Sequence, residues 1–239
     1  MDHRDQIGVV AVVAAKDEAE RIGSTLQHLR SGVNQIEAIV VVDDGSKDRT
    51  SSIARDHGAH VEHHPANRGK AAAMMTGAQA AKRLHPHAAV LFADADLEES
   101  AATLGVLCVP VLRGEVDMAI AVLPPQKSAG GGFGLVKRLA AQGIEDLTGW
   151  RPQQPLSGMR CVRRTALDGA LPLASGWGVE VGLTVDVLRN GGRVREVPCE
   201  LHHRITGKDW RSQLHRARQY RDVWIALARR RRPLIRPQP

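Results

Sequence analysis

Aromatic residues are scarce in this chain: four Trp, two Phe and one Tyr among 239 residues. Nucleic-acid readers that stack bases use more aromatic platforms than this, which weighs against that class. Cysteine is scarce too. Cys108, Cys161 and Cys199 are widely spaced in apolar surroundings, as expected of reduced core thiols in a cytosol rather than a disulfide framework or a zinc site. No apolar run is long enough to cross a membrane, since residues 7–15 provide only about nine positions where a span needs ~20. The opening MDHRDQ is polar and has no apolar signal core behind it. The expected location is therefore cytoplasmic. Also missing is a G-x-G-x-x-G turn after the first apolar run, and the Lys16-Asp17-Glu18 found there would repel a pyrophosphate. This argues against a nicotinamide dehydrogenase. The Gly-rich basic loop that a nucleotidyltransferase needs at this point is absent as well.

What the chain does have is 43% hydrophobic residues, carried mostly by Ala and Val, and enough length to bury a sizeable core. The net charge of +7 is unevenly spread. Residues 201–239 hold eleven Lys and Arg against two Asp and Glu, whereas the first 200 residues are slightly acidic. Basicity is thus a property of the C-terminal segment. A nucleic-acid or nonenzymatic nucleotide-binding role would rest on that segment alone, with steep salt dependence.

Residues 7–15 and 36–42 are Val- and Ile-rich runs of the kind buried on both faces of a sheet. Shorter strands are expected at 59–63, 88–93 and 117–123, with helices near 48–57 and over 69–83. Strands alternating with helices imply a mainly parallel sheet covered on both faces. Ligands of such sheets bind outside the carboxyl ends of the strands. Asp17-Glu18, Asp43-Asp44 and Asp94/Asp96 all fall at those ends. The Gly-rich stretch 124–133 suits a lid and a plain linker equally. Two more strands are expected at 158–162 and 193–198, and an amphipathic helix over 213–232 ending in four arginines.

Asp94-Ala95-Asp96 is a weak signal by itself, but its place after a buried strand raises its value. Two carboxylates there can hold Mg2+ or Mn2+ and leave positions for a diphosphate. A phosphatase nucleophile would be expected on the first strand, which does not carry the pair.

VVAAKDEAERI, VVVDDGSKDRT, NRGKAAAMMTG and LFADADLE follow one another here in an order and spacing that resembles the GT-A-fold glycosyltransferases of family 2. The likeness extends to about residue 210 and includes the dolichol-phosphate mannosyltransferase-like and glucosyl-3-phosphoglycerate synthase-like branches. Ala14 and Asp17 depart from the usual Pro and Asn of the opening motif.

The resemblance implies an α/β, GT-A (Rossmann-like) single domain over 1–210, with a nucleotide-binding half (1–123) and an acceptor half (124–210), followed by a helix and basic tail (211–239). Ala14, Ala15 and Glu18 would line the nucleotide pocket, and Asp43 or Asp44 would meet the base. Lys70, with Gly69, would approach the nucleotide or its phosphates. Asp94 would meet the ribose and the metal-bound diphosphate, with Asp96 as the more direct metal ligand. Ser157 and Gly158 would lie near the donor sugar, and Glu180 would face the acceptor, as a general base or by binding a sugar hydroxyl. His203 would complete the metal site, and Arg204 would bind diphosphate or an anionic acceptor. His202 is the competing ligand.

The implied partners are a nucleotide-diphosphate sugar donor (UDP or GDP) and an acceptor such as polyprenyl phosphate, a small phosphorylated acid or a glycan. The basic helix end complements the helix dipole and also admits peripheral contact with an anionic inner membrane face. Homo-oligomerisation stays open. The absence of a Q-x-x-R-W element argues against a processive polysaccharide synthase.

Overall fold

The Val- and Ile-rich runs form the centre of a seven-stranded sheet in the computed structural model, which describes residues 8–124, 133–200 and 211–231. Only the backbone is described at 133 and 211–216. The strands are β1 (Val9–Ala15), β2 (Ile36–Asp43), β3 (His60–His63), β4 (Ala89–Asp94), β5 (Met118–Val122), β6 (Arg160–Val162) and β7 (Val194–Pro198). Their spatial order is β3-β2-β1-β4-β6-β5-β7. Six strands run in one direction. β6 lies antiparallel between β4 and β5, the single reversed strand of an otherwise parallel sheet among the described residues.

Successive side chains of a strand point to opposite faces, and β1 shows why its sequence is continuously apolar. Val9, Ala11, Val13 and Ala15 enter one core layer, while Val10 and Val12 enter the other. The first layer receives α1 (Ile22–Gly32), α2 (Thr50–Asp56) and α4 (Gly105–Leu112). The second receives α3 (Lys70–Leu84), α6 (Arg164–Gly169) and α7 (Val179–Arg189). Ile22, Leu26 and Leu29 of α1 are fully buried, each contributing roughly 1.5–3 kcal/mol of apolar burial. The expected single α/β domain with helices on both faces is the observed fold.

Two helices complete the fold: α5 (Phe133–Thr148) and α8 (Arg211–Arg230). Val223 and Leu227 of α8 pack with Val136, Ala140 and Ile144 of α5 and with Val181 and Val185 of α7, making a third apolar cluster. Arg230 pairs inward with Asp186 of α7 at 2.7 Å. One member of the terminal arginine run therefore holds two helices together. The three cysteines are buried and unpaired.

Expected boundaries hold to within a few residues. The 3-10 helix Glu98–Leu104 and α4 were not anticipated. The Gly-rich loop, His202, His203 and Arg204 lie outside the described residues.

Candidate active site

Three acidic strand ends meet along the carboxyl edge of the sheet. Ala15 at the end of β1 is in register with Asp43 of β2, and Ala14 with Asp94 of β4. Ala15 is buried and Ala14 half-buried, so the end of β1 presents small side chains between two carboxylates.

The turns after β1 and β2 are laced together. The amides of Asp17, Glu18 and Ala19 donate to Ser46 Oγ, Thr50 Oγ1 and Asp48 Oδ2 at 2.9, 2.9 and 3.0 Å. Lys47 returns a bond from its amide to Asp17 Oδ1 at 2.8 Å. Asp17 takes a φ of 55°, unusual for a residue with a side chain. Glu18 pairs with Arg21 at 2.9 Å, yet burial pushes its carboxyl above the ordinary range, with nearby Asp96 adding to the effect.

Asp43 and Asp44 are both buried and serve the turns around them. Asp43 accepts from the Ser46 amide at 2.8 Å and from the Ser51 hydroxyl. Asp44 accepts from His64 Nδ1 at 2.7 Å, the Arg68 amide at 2.8 Å and the Gly69 amide at 2.7 Å. Gly69, at φ 89°, makes the left-handed step that starts α3. Lys70 is the next residue and the first of that helix.

Lys70 joins the end of β4 to the start of α7. Its Nζ lies 2.7 Å from Asp94 Oδ1 and 3.7 Å from Glu180 Oε1. Burial lowers the pKa of the ammonium, but Asp94 and Glu180 outweigh that and leave it raised. Glu180, in the first turn of α7, is buried, and burial raises its carboxyl pKa against the pull of Lys70 and Arg160. Gly158 closes the cluster from the other side. A Cβ there would stand 2.3 Å from Lys70 Nζ, so only glycine fits without displacing the ammonium.

Arg160 fixes the surroundings and was not singled out as a site residue. It is fully buried and donates to the Ser157 carbonyl at 3.2 Å, the Glu180 carbonyl at 2.9 Å and Thr184 Oγ1 at 3.1 Å. Burial pushes its pKa down to about 10, opposed by Glu180 and Glu196, so it remains charged at neutral pH. An arginine inside an apolar strand is the sequence signal for such a role, because a buried charge must be compensated. Glu196 of β7 accepts from the Gln153 and Gln154 amides at 2.9 and 2.7 Å, fixing the other end of the same loop. The buried Ser157 hydroxyl has no partner among the described residues.

The exit of β4 is fastened by Thr25 of α1, also missed. Its hydroxyl donates to the Ala95 carbonyl at 2.8 Å and accepts from the Glu98 amide at 2.9 Å. Glu98 takes a positive φ of 48° in this turn. Asp94 and Asp96 flank the tethered peptide and offer hard oxygen donors, the type that Mg2+ and Mn2+ accept. Among the described residues no three His, Cys, Asp or Glu side chains gather as a complete metal cage. The pair suits a metal whose remaining ligands come from a bound diphosphate.

The sequence profile described as Glycosyl transferase family 2 matches residues 10–168. The chain belongs to glycosyl transferase family 2. An uncharacterized protein of Methanocaldococcus jannaschii, MJ1222, is 33% identical over 204 residues, spanning 83% of this glycosyltransferase and 82% of its own length. Glucosyl-3-phosphoglycerate synthase from Mycobacterium tuberculosis, crystallised with Mg2+ and UDP, superposes with a TM-score of 0.73 at 26% identity, covering 94% of this chain and 79% of that one. The same enzyme with Mn2+, UDP-glucose and phosphoglyceric acid gives 0.74 at 26% identity, over 94% and 79%. The GT-A fold and the glycosyltransferase assignment stand on these matches, and family membership sets aside the nonenzymatic alternative.

Proposed function

We propose that this glycosyltransferase moves one sugar from a UDP-sugar to an acceptor bearing a phosphate, with Mg2+ or Mn2+ at Asp94 and Asp96. The observation that carries this reading is Lys70, poised between Asp94 at the end of β4 and Glu180 at the start of α7. UDP and a phosphorylated acceptor are favoured by the similar mycobacterial enzyme, which is crystallised with UDP-glucose and phosphoglyceric acid.

Ala14, Ala15 and Glu18 border the nucleotide, and Asp43 and Asp44 shape the turns against the base. A metal held by Asp94 and Asp96 would supply positive charge against the departing diphosphate. Lys70 adds a second cation at the same place, moving from its carboxylates toward phosphate oxygens. Ser157 and Gly158 flank the donor sugar. Glu180 takes the proton of the attacking acceptor oxygen; a buried carboxyl with a raised pKa suits that task. His203 and Arg204 remain assigned by resemblance, as third metal ligand and anion contact. No helix among the described residues is long and apolar enough to cross a membrane.

Calorimetry with UDP- and GDP-sugars, with and without Mn2+, tests the reading. UDP-sugar should bind only with metal, and Asp96→Ala should abolish that binding while thermal unfolding stays cooperative. Absence of heat with every nucleotide sugar in the presence of metal would sink it. A donor and acceptor screen followed by product NMR then identifies the sugar and the acceptor.

A further inference from the structure

Tyr220 and Trp224 of α8 are 44% and 53% exposed, in a chain with only seven aromatics. Helical spacing divides α8 sharply. Val223, Ala226 and Leu227 are buried, and Arg230 turns inward to Asp186. Arg218, Arg221, Arg229 and Arg231 lie exposed with Tyr220 and Trp224. Half-buried Ile225 and Ala228 adjoin them. Asp222 is the single acid of residues 217–231, and its carboxylate is engaged by the Trp177 amide at 3.2 Å and by Arg221 at 3.1 Å. Helix α5, on which α8 packs, adds exposed Leu135, Lys137 and Arg138.

We propose that the outer face of α8 docks on an anionic lipid surface. Charge complementarity selects this occupant. Arginines whose stems lie along apolar surface, mixed with Trp and Tyr, form the composition that sits at the headgroup level, the guanidinium groups meeting phosphates and the rings meeting the acyl boundary. A second copy fits poorly, because a two-fold contact sets the same patch against itself and would oppose arginine with arginine. The position is also suitable. Asp222 ties α8 to Trp177, three residues before Glu180, so the helix runs beside the acceptor end of the site. This inference stands independently of the donor assignment.

The test uses the full chain and vesicles of phosphatidylcholine with or without phosphatidylglycerol, read by co-sedimentation. Binding is expected only with phosphatidylglycerol and should weaken as salt rises. Arg218→Gln and Arg229→Gln should each lower vesicle affinity roughly fivefold, and Trp224→Ala should lower it further. Metal-dependent nucleotide binding and the unfolding temperature should stay unchanged in all three variants, which separates lost docking from lost folding. Equal binding to neutral vesicles, undiminished binding by the variants, or a dimer dissolved by Trp224→Ala would each overturn the proposal.

Discussion

At the scale of the residue, Asp44 shows how an acidic strand end can serve the chain's own turns. Its two oxygens accept from His64, Arg68 and Gly69, fixing the turn from which Lys70 projects. Burial pushes this carboxyl up, but the three donors outweigh it and hold the value below the ordinary 3.8. The unfolded chain therefore takes up the proton at a higher pH than the folded one. The stabilisation is complete above 3.8 and is lost as pH falls through the native value. Asp44→Asn should cost about 1–3 kcal/mol at neutral pH and flatten the loss of stability on acidification. Urea unfolding of both proteins at neutral and acid pH measures this; parallel pH profiles would show that Asp44 holds no such bonds. In sequence, Asp43-Asp44-Gly45-Ser46 was legible as a site motif. Which partners each aspartate takes was not, because His64 and Gly69 reach Asp44 only through β3 and the start of α3. Lys70 was legible only beside the other motifs, since a lysine opening a helix is usually solvated.

At the scale of the element, the exit of β4 depends on α1. Thr25 bridges Ala95 and Glu98, so it sets the path of the peptide that carries Asp94 and Asp96. Thr25→Val keeps the shape and leaves two polar backbone groups without their partner, at a cost of about 1–3 kcal/mol. Metal-dependent UDP binding should weaken several-fold more than the stability loss alone explains, whereas Thr25→Ser should retain both. Titration of Mn2+ into the UDP-bound variants decides it, and wild-type affinity in Thr25→Val would remove the positioning role. Most strands could be seen in the sequence because burial on both faces produces long Val and Ile runs. The antiparallel insertion of β6 could not, since it is created by pairing with β4 and β5 rather than by any local pattern. Thr25 sits at the Ile22, Leu26 and Leu29 spacing of the buried face, a clue that becomes readable only once its acceptor is in place.

At the scale of the whole molecule, the family resemblance implies a boundary near 210, and the charge turns strongly basic from about residue 201. Packing joins what the charge divides. Val223 and Leu227 fill the gap between α5 and α7, and Arg230 clamps Asp186 on α7, whose first turn carries Glu180. The inner face of α8 is therefore part of the core behind the helix that carries Glu180, while Tyr220 and Trp224 on its outer face are exposed. Leu227→Ala should destabilise the protein by about 2–5 kcal/mol, the usual cost of truncating a buried leucine, with one cooperative transition retained. A fragment ending at residue 210 would expose Val136, Val181 and Val185, so it should lose cooperative unfolding and metal-dependent nucleotide binding together. Calorimetric melting of the fragment checks this, because a sharp transition with native nucleotide binding would make α8 an appendage instead of a wall of the domain.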